Sequence, residues 1–358
     1  MPRHLPCISR KLVTNCIWKI CQADSKGATA LWHAASKGYL EVCRVLAADP
    51  KIDINAAGNG GCTPLASAAA RGHLDICRLL LEKNADVNVA NDVGFTPLYL
   101  AQLHGYHDVC RLLVKMGHAD TNIPDNNLGV VPLHHAAGKG ELAMCRLYLE
   151  EGAANPTVRS KDGTTPLLVA ADDGSLDVCR LLLEKDVSSV NVAMERGRTP
   201  LFAAARRGHL DVCRLLLVEG KADANMATDI GLTPLAIAAE NGHVDVCRLL
   251  VVEGNADVNK AADNGVTPLF IAAECDHAEV CRLLVLEGHA NVGKGTQEGN
   301  YTALHIACHR GRLDVCRLLI VDGKADVNKV KNADVLNPGT DVSLNCPTVA
   351  AECWSNLE

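Results

Sequence analysis

Residues 63–88 read TPLASAAARGHLDICRLLLEKNADVN, and residues 233–259 read TPLAIAAENGHVDVCRLLVVEGNADVN. The same frame returns along the chain. Its first residue stands at Thr29, Thr63, Thr96, Val131, Thr165, Thr199, Thr233, Thr267 and Thr302, a spacing of 33 to 35. A cysteine keeps step at Cys43, Cys77, Cys110, Cys145, Cys179, Cys213, Cys247, Cys281 and Cys316. Nine repeats therefore tile positions 29 to about 328 of the 358 residues.

Each repeat carries coherent local signals. The Thr63 hydroxyl can cap a helix, and Pro64 suits the first turn, where its missing N–H has no partner to lose. A short helix through Ala70 is predicted, ended by Gly72 in the left-handed region. In HLDICRLLLE, Leu74, Cys77, Leu80 and Leu81 predict one buried face, with Asp75, Arg78 and Glu82 opposite. The following VANDVG has the chemistry of a hairpin tip. Neither helix is long enough to be stable alone, so the apolar faces must be covered by the neighbouring repeats.

These residues resemble the ankyrin repeat family. Thr-Pro-Leu-x-x-Ala-Ala opening the first helix, Gly-His between helices, Leu-Leu late in the second and Ala-Asp-Val-Asn before the tip match its pattern over about 300 of 358 residues. The resemblance implies an all-α solenoid of stacked antiparallel helix pairs with projecting β-hairpin-like loops. The chain divides into a lead-in with a capping helix (1–26), nine repeats (27–328) and a tail with a possible partial tenth repeat (329–358), where TVAAEC echoes FIAAEC.

Departures from the pattern mark special positions. Five repeats insert a residue after the glycine that ends the second helix: His118, Lys221, Asn255, His289 and Lys324. Asp276 replaces the inter-helix glycine of repeat eight, which predicts a strained or rebuilt turn. The amphipathic stretch 8–22 reads as the capping helix, with Trp18 inward.

Composition narrows the class. The 35 basic and 42 acidic residues are interspersed and the net charge is -7, so no nucleic-acid surface is expected. No stretch approaches the roughly 20 apolar residues of a membrane span. Lys11 and Lys19 bracket the only apolar segment near the amino end, unlike a signal peptide. The chain reads as cytoplasmic or nuclear and as a monomer.

Nine of the seventeen cysteines hold one helical position in successive repeats. Packed helices lie about 8–10 Å apart, too far for bridges between them. They read as small buried apolar residues. Cys275, His277, Cys308 and His309 match no zinc spacing, so neither metal nor cofactor is expected. The arginine after each cysteine forms an outer stripe. In eight of the nine repeats an acid stands three residues earlier, such as Asp75 before Arg78 or Asp211 before Arg214, which predicts helical ion pairs along it. The histidines recur in the frame and GNGGC at 58–62 follows no strand, so no catalytic set is indicated.

Comparison among the repeats separates the constant frame from variable positions, which are the tips and the last two residues of each first helix. The resemblance implies that these line a concave partner-binding side, about 80–90 Å long at one helix spacing per repeat. Two patches stand out within repeats three to seven. Arg196, Arg198, Arg206 and Arg207 either dock an acidic or phosphorylated segment or pair internally with Asp172 and Asp173; Glu240 follows one repeat on. Phe95, Leu103, Leu128 and Val130 either anchor a partner or pack between hairpins. The expected function is a non-enzymatic protein-interaction scaffold or adaptor. The alternatives are a targeting or substrate-recognition portion of a larger enzyme, such as a kinase or ubiquitin ligase subunit, and a mechanical spacer.

Overall fold

A computed structural model of the chain describes residues 28–329. The capping helix expected at 8–22, Trp18 and nearly all of the 329–358 tail lie outside the described residues. Within them are nine consecutive pairs of short helices and no strand, from Ala30–Lys37 with Leu40–Ala47 to Ala303–His309 with Leu313–Val321. The helices fall into two compact bodies, residues 28–137 with 141–162 and residues 163–329 with 138–140.

Local chemistry sets each pair. In eight repeats the leading threonine hydroxyl accepts a backbone N–H in the first turn, as Thr63 does from Ala66 at 3.1 Å. Val131 has no hydroxyl to offer. There His134 Nδ1 accepts the Val131 N–H at 3.3 Å. Repeat four departs again in its second helix, where Leu142–Arg146 passes into a π-turn over Leu147–Glu151.

Two expectations are corrected by the backbone and its packing. The second helix of repeat two, Leu74–Glu82, buries Ile76, Cys77, Leu79 and Leu80, while Leu74 and Leu81 are only half-buried. Both neighbouring helices of its own layer and the first helix of its own repeat must be covered, so the apolar arc is wider than the one predicted. The Asp276 turn is not rebuilt. Asp276 takes the left-handed conformation of the glycines it replaces, φ 67°, and Arg312 reaches its carboxylate at 3.4 Å. The inserted His118, Lys221, Asn255, His289 and Lys324 are all left-handed, and so is Ala153 of repeat four, which the sequence reading passed over.

Within each body the first helices pack on the first helices of the next repeat and the second on the second. Nine ladder cysteines sit in this core at 0% exposure. Two polar ladders stitch the loops. The asparagine at the end of the Ala-Asp-Val-Asn position accepts, through its Oδ1, a backbone N–H of the next repeat: Asn55 from Asp86 at 2.8 Å and Asn88 from Asp120 at 2.9 Å in the first body, Asn225 from Asp257 and Asn259 from Asn291 at 2.7 Å in the second. The tips join by backbone bonds, Asn126 N–H to the Val93 carbonyl at 3.1 Å and Asp229 N–H to that of Arg196 at 3.1 Å. These bonds meet backbone groups that neither helix can satisfy.

Candidate interaction surface

In the first body the four apolar candidates separate. Phe95 is half-buried and stacks on Tyr99, centroids 4.5 Å apart and planes 7° from parallel. Tyr99 is buried and its hydroxyl lies 2.8 Å from His135 Nε2. Burial, then the charge of Asp125 and a hydrogen bond with it, pushes the Tyr99 phenol up to about 12. Asp125 is the hub of the next tip, accepting the N–H groups of Asn127, Leu128 and Val130, each at 2.8 Å. Burial alone would raise its carboxyl, but those three donors and the nearby His135 outweigh it and hold the group below the usual aspartate range.

Phe95 is thus engaged with the first helix that follows it, and the Val130 backbone closes its own tip on Asp125. Leu103 is half-buried at its helix end. Leu128 alone is presented outward, 66% exposed. Asp125, Tyr99 and His135 were missed by the sequence reading. The available signal was Asp125 standing where the preceding tip has Asn91, whose Oδ1 accepts the Val93 and Phe95 N–H groups.

In the second body the charged candidates also divide. Arg206 and Arg207 both converge on Asp172, at 2.7 and 3.3 Å. Burial works against the ionised Asp172 carboxyl, yet the two guanidinium bonds prevail and keep it below the ordinary range. Asp173 accepts from the Ser175 hydroxyl at 2.8 Å. Glu240 is exposed at its helix end. The tip residue Arg196 is exposed and left-handed, φ 67°, and Arg198 is half-buried. Neither side chain has an acidic partner among the described residues, and Arg198 Nε is buried without a hydrogen bond. The helix Pro200–Arg207 separates the tip arginines from the helix-end pair by about 12 Å.

The outer stripe pairs differently from its expectation. Arg44, Arg111, Arg282 and Arg317 do meet the acid three residues earlier, at 3.3, 2.8, 3.7 and 3.7 Å. Arg180, Arg214 and Arg248 instead cross to the following repeat, meeting Glu219, Glu253 and Glu287 at 2.6, 2.5 and 3.0 Å. A carboxylate at the end of the next second helix is simply a closer acceptor.

A buried polar cluster was also missed. Gln102, at 0% exposure, donates to Glu141 at 2.6 Å and accepts from the Tyr148 hydroxyl at 2.6 Å, while His107 lies 3.2 Å from Glu141. Gln102 and Tyr148 stand where other repeats place alanine, or Cys308 in repeat nine, and leucine. The ladder thiols are buried. Burial pushes those of Cys77, Cys110, Cys145, Cys179, Cys213, Cys247 and Cys281 up to about 12. Of the cysteines weighed as metal ligands, Cys308 is buried with its Sγ 3.6 Å from that of Cys316, whereas Cys275 is exposed.

A sequence model of three ankyrin repeats matches residues 55–125, 117–193, 188–262 and 254–331, and a single-repeat model matches residues 26–59. The chain belongs to the ankyrin repeat family, whose repeats are protein–protein interaction modules. A comparison with curated proteins found no match. No helix among the described residues is long and apolar enough to cross a membrane.

Proposed function

We propose that this chain is a non-enzymatic adaptor, monomeric and cytoplasmic or nuclear, that holds a protein partner along its hairpin tips and first-helix ends, the side that ankyrin proteins make concave. The observation that carries the reading is the division of labour in repeat six. Arg206 and Arg207 are spent on Asp172, while exposed Arg196 and half-buried Arg198 stand at the tip with no acidic partner among the described residues. Guanidinium forks suit carboxylate and phosphate oxygens, so the tip supplies a dock for an acidic or phosphorylated segment. Leu128 offers a separate apolar anchor. Adjacent repeats hold both loops in place, which lowers the ordering cost of binding.

The test is comparative affinity capture with the parent chain, R196S/R198S and L128S, each checked for native circular dichroism. Partners held by the parent should be lost from the arginine variant, and phosphatase treatment of the lysate should weaken those that depend on phosphate. Retention of every partner by both variants would sink the adaptor reading and leave a mechanical spacer.

A further inference from the structure

Repeat nine brings two thiols into contact. Cys308 stands in the last turn of the first helix, Ala303–His309, and Cys316 in the second, Leu313–Val321, with their Sγ atoms 3.6 Å apart. Cys316 belongs to the ladder and Cys308 does not. Its position holds alanine in seven other repeats, from Ala35 to Ala273, and Gln102 in repeat three. Those alanines are at 0% exposure, so a sulfur added at that Cβ must share core space, and in repeat nine it shares it with the ladder thiol.

The spacing that bars bridges along the ladder does not apply here. Ladder cysteines of successive repeats are held apart by a helix spacing of about 8–10 Å, whereas Cys308 and Cys316 lie on the two helices of one repeat and their sulfurs already touch. A disulfide needs the sulfurs about 2.05 Å apart. Cys308 is placed to close that gap, because it sits at a helix end, just before left-handed Gly311, where the helical backbone yields most readily.

The two sulfurs are also unequal in access. Cys308 is 8% exposed and Cys316 0%. Ile306, one turn of the side-chain stripe before Cys308, is half-buried, whereas Ile237 and Ile271 at the same position of the two preceding repeats are buried. One sulfur thus lies at the edge of the core and the second directly behind it.

We infer that Cys308 and Cys316 are a redox-active dithiol, which hydrogen peroxide converts to a disulfide in the folded chain and a thiol reductant restores. The Cys308 sulfur attacks one peroxide oxygen, the O–O bond breaks, and the departing oxygen leaves as water with the thiol proton, so Cys308 becomes a sulfenic acid. The Cys316 sulfur then attacks that of Cys308. The S–S bond forms, the S–O bond breaks, and the hydroxyl leaves as a second water with the Cys316 proton. Two thiols are oxidised by two electrons and one peroxide is reduced to two waters. A reducing dithiol reverses the bond by exchange. In a reducing compartment such a bridge is a transient sensing step. The bond ties down a helix end that carries Arg310, which clasps Glu274 of the preceding repeat at 2.6 Å. On the adaptor reading, oxidation therefore acts on the partner side of repeats eight and nine, although the bridge itself does not depend on that reading.

Trypsin provides the test, because Arg310 and Arg312 lie between the thiols and release them on separate peptides, 295–310 and 313–317. The folded full chain is treated with hydrogen peroxide at a dose that oxidises exposed Cys275, blocked with N-ethylmaleimide in urea and digested without reductant. Mass spectrometry should find the two peptides joined, more abundantly than any other pairing of cysteines, and dithiothreitol should part them. C308A should fold like the parent, since alanine is the usual residue at that position, and its Cys316 should be recovered with the maleimide attached. Absence of the joined peptides, their appearance only when peroxide is added in urea, or pairing of Cys316 with other cysteines to a similar extent would each overturn the inference.

Discussion

Nε2 of His243 lies 3.1 Å from the backbone carbonyl of Arg206, one repeat earlier, so the imidazole donates there and closes the end of its neighbour's first helix. His209 does the same for Asp172 and His277 for Glu240. The ring also covers the preceding glycine: a Cβ on Gly208 would fall 2.7 Å from His243 Nδ1. The Gly-His pair is thus a fit between repeats as well as a turn within one.

His243→Ala should cost about 1 kcal/mol, the net worth of one such bond. Gly208→Ala should cost about 1–3 kcal/mol, since φ is 79° and the new methyl strikes the ring. In urea titrations the double variant should lose less than the two costs added, because removing the ring relieves the clash.

Asp276→Gly should stabilise the chain by about 1 kcal/mol. It removes the left-handed penalty of a side-chain-bearing residue, while the exposed pair with Arg312 contributes little. A lower midpoint in guanidinium for the glycine variant would show that the aspartate is held there by more than geometry.

The Gln102–Glu141–Tyr148 cluster should behave as a unit. Tyr148→Leu or Gln102→Ala alone strands a buried polar partner and should cost about 1–3 kcal/mol. The double change restores the apolar pair seen in other repeats and should cost clearly less than the sum of the singles, as a double-mutant cycle of unfolding free energies would show.

The buried thiols set an alkaline limit. Seven have a folded pKa of about 12 against an ordinary 9.0, so both states are protonated below pH 9 and the full stability is present there. Between pH 9 and 12 only the unfolded chain releases these protons, and each thiol then lowers stability by roughly 1 kcal/mol per pH unit. Melting temperature should fall steeply above pH 9. At neutral pH the ladder cysteines should resist alkylation until unfolding, while exposed Cys275 reacts with the native chain.

The repeat period, the threonine caps, the left-handed glycines and inserted residues, and the burial of the cysteines were all legible in the linear order. Each depends on the spacing of residues along one or two turns, and backbone sterics and apolar periodicity act at that range. Which candidates remain open to a partner was decided only in three dimensions. Arg206 and Arg207 close on Asp172, and Arg214 abandons Asp211 for Glu253. These choices lie between residues that are neighbours in sequence and residues one repeat away at nearly equal distance. Packing of adjacent repeats, not local propensity, sets which contact is shorter.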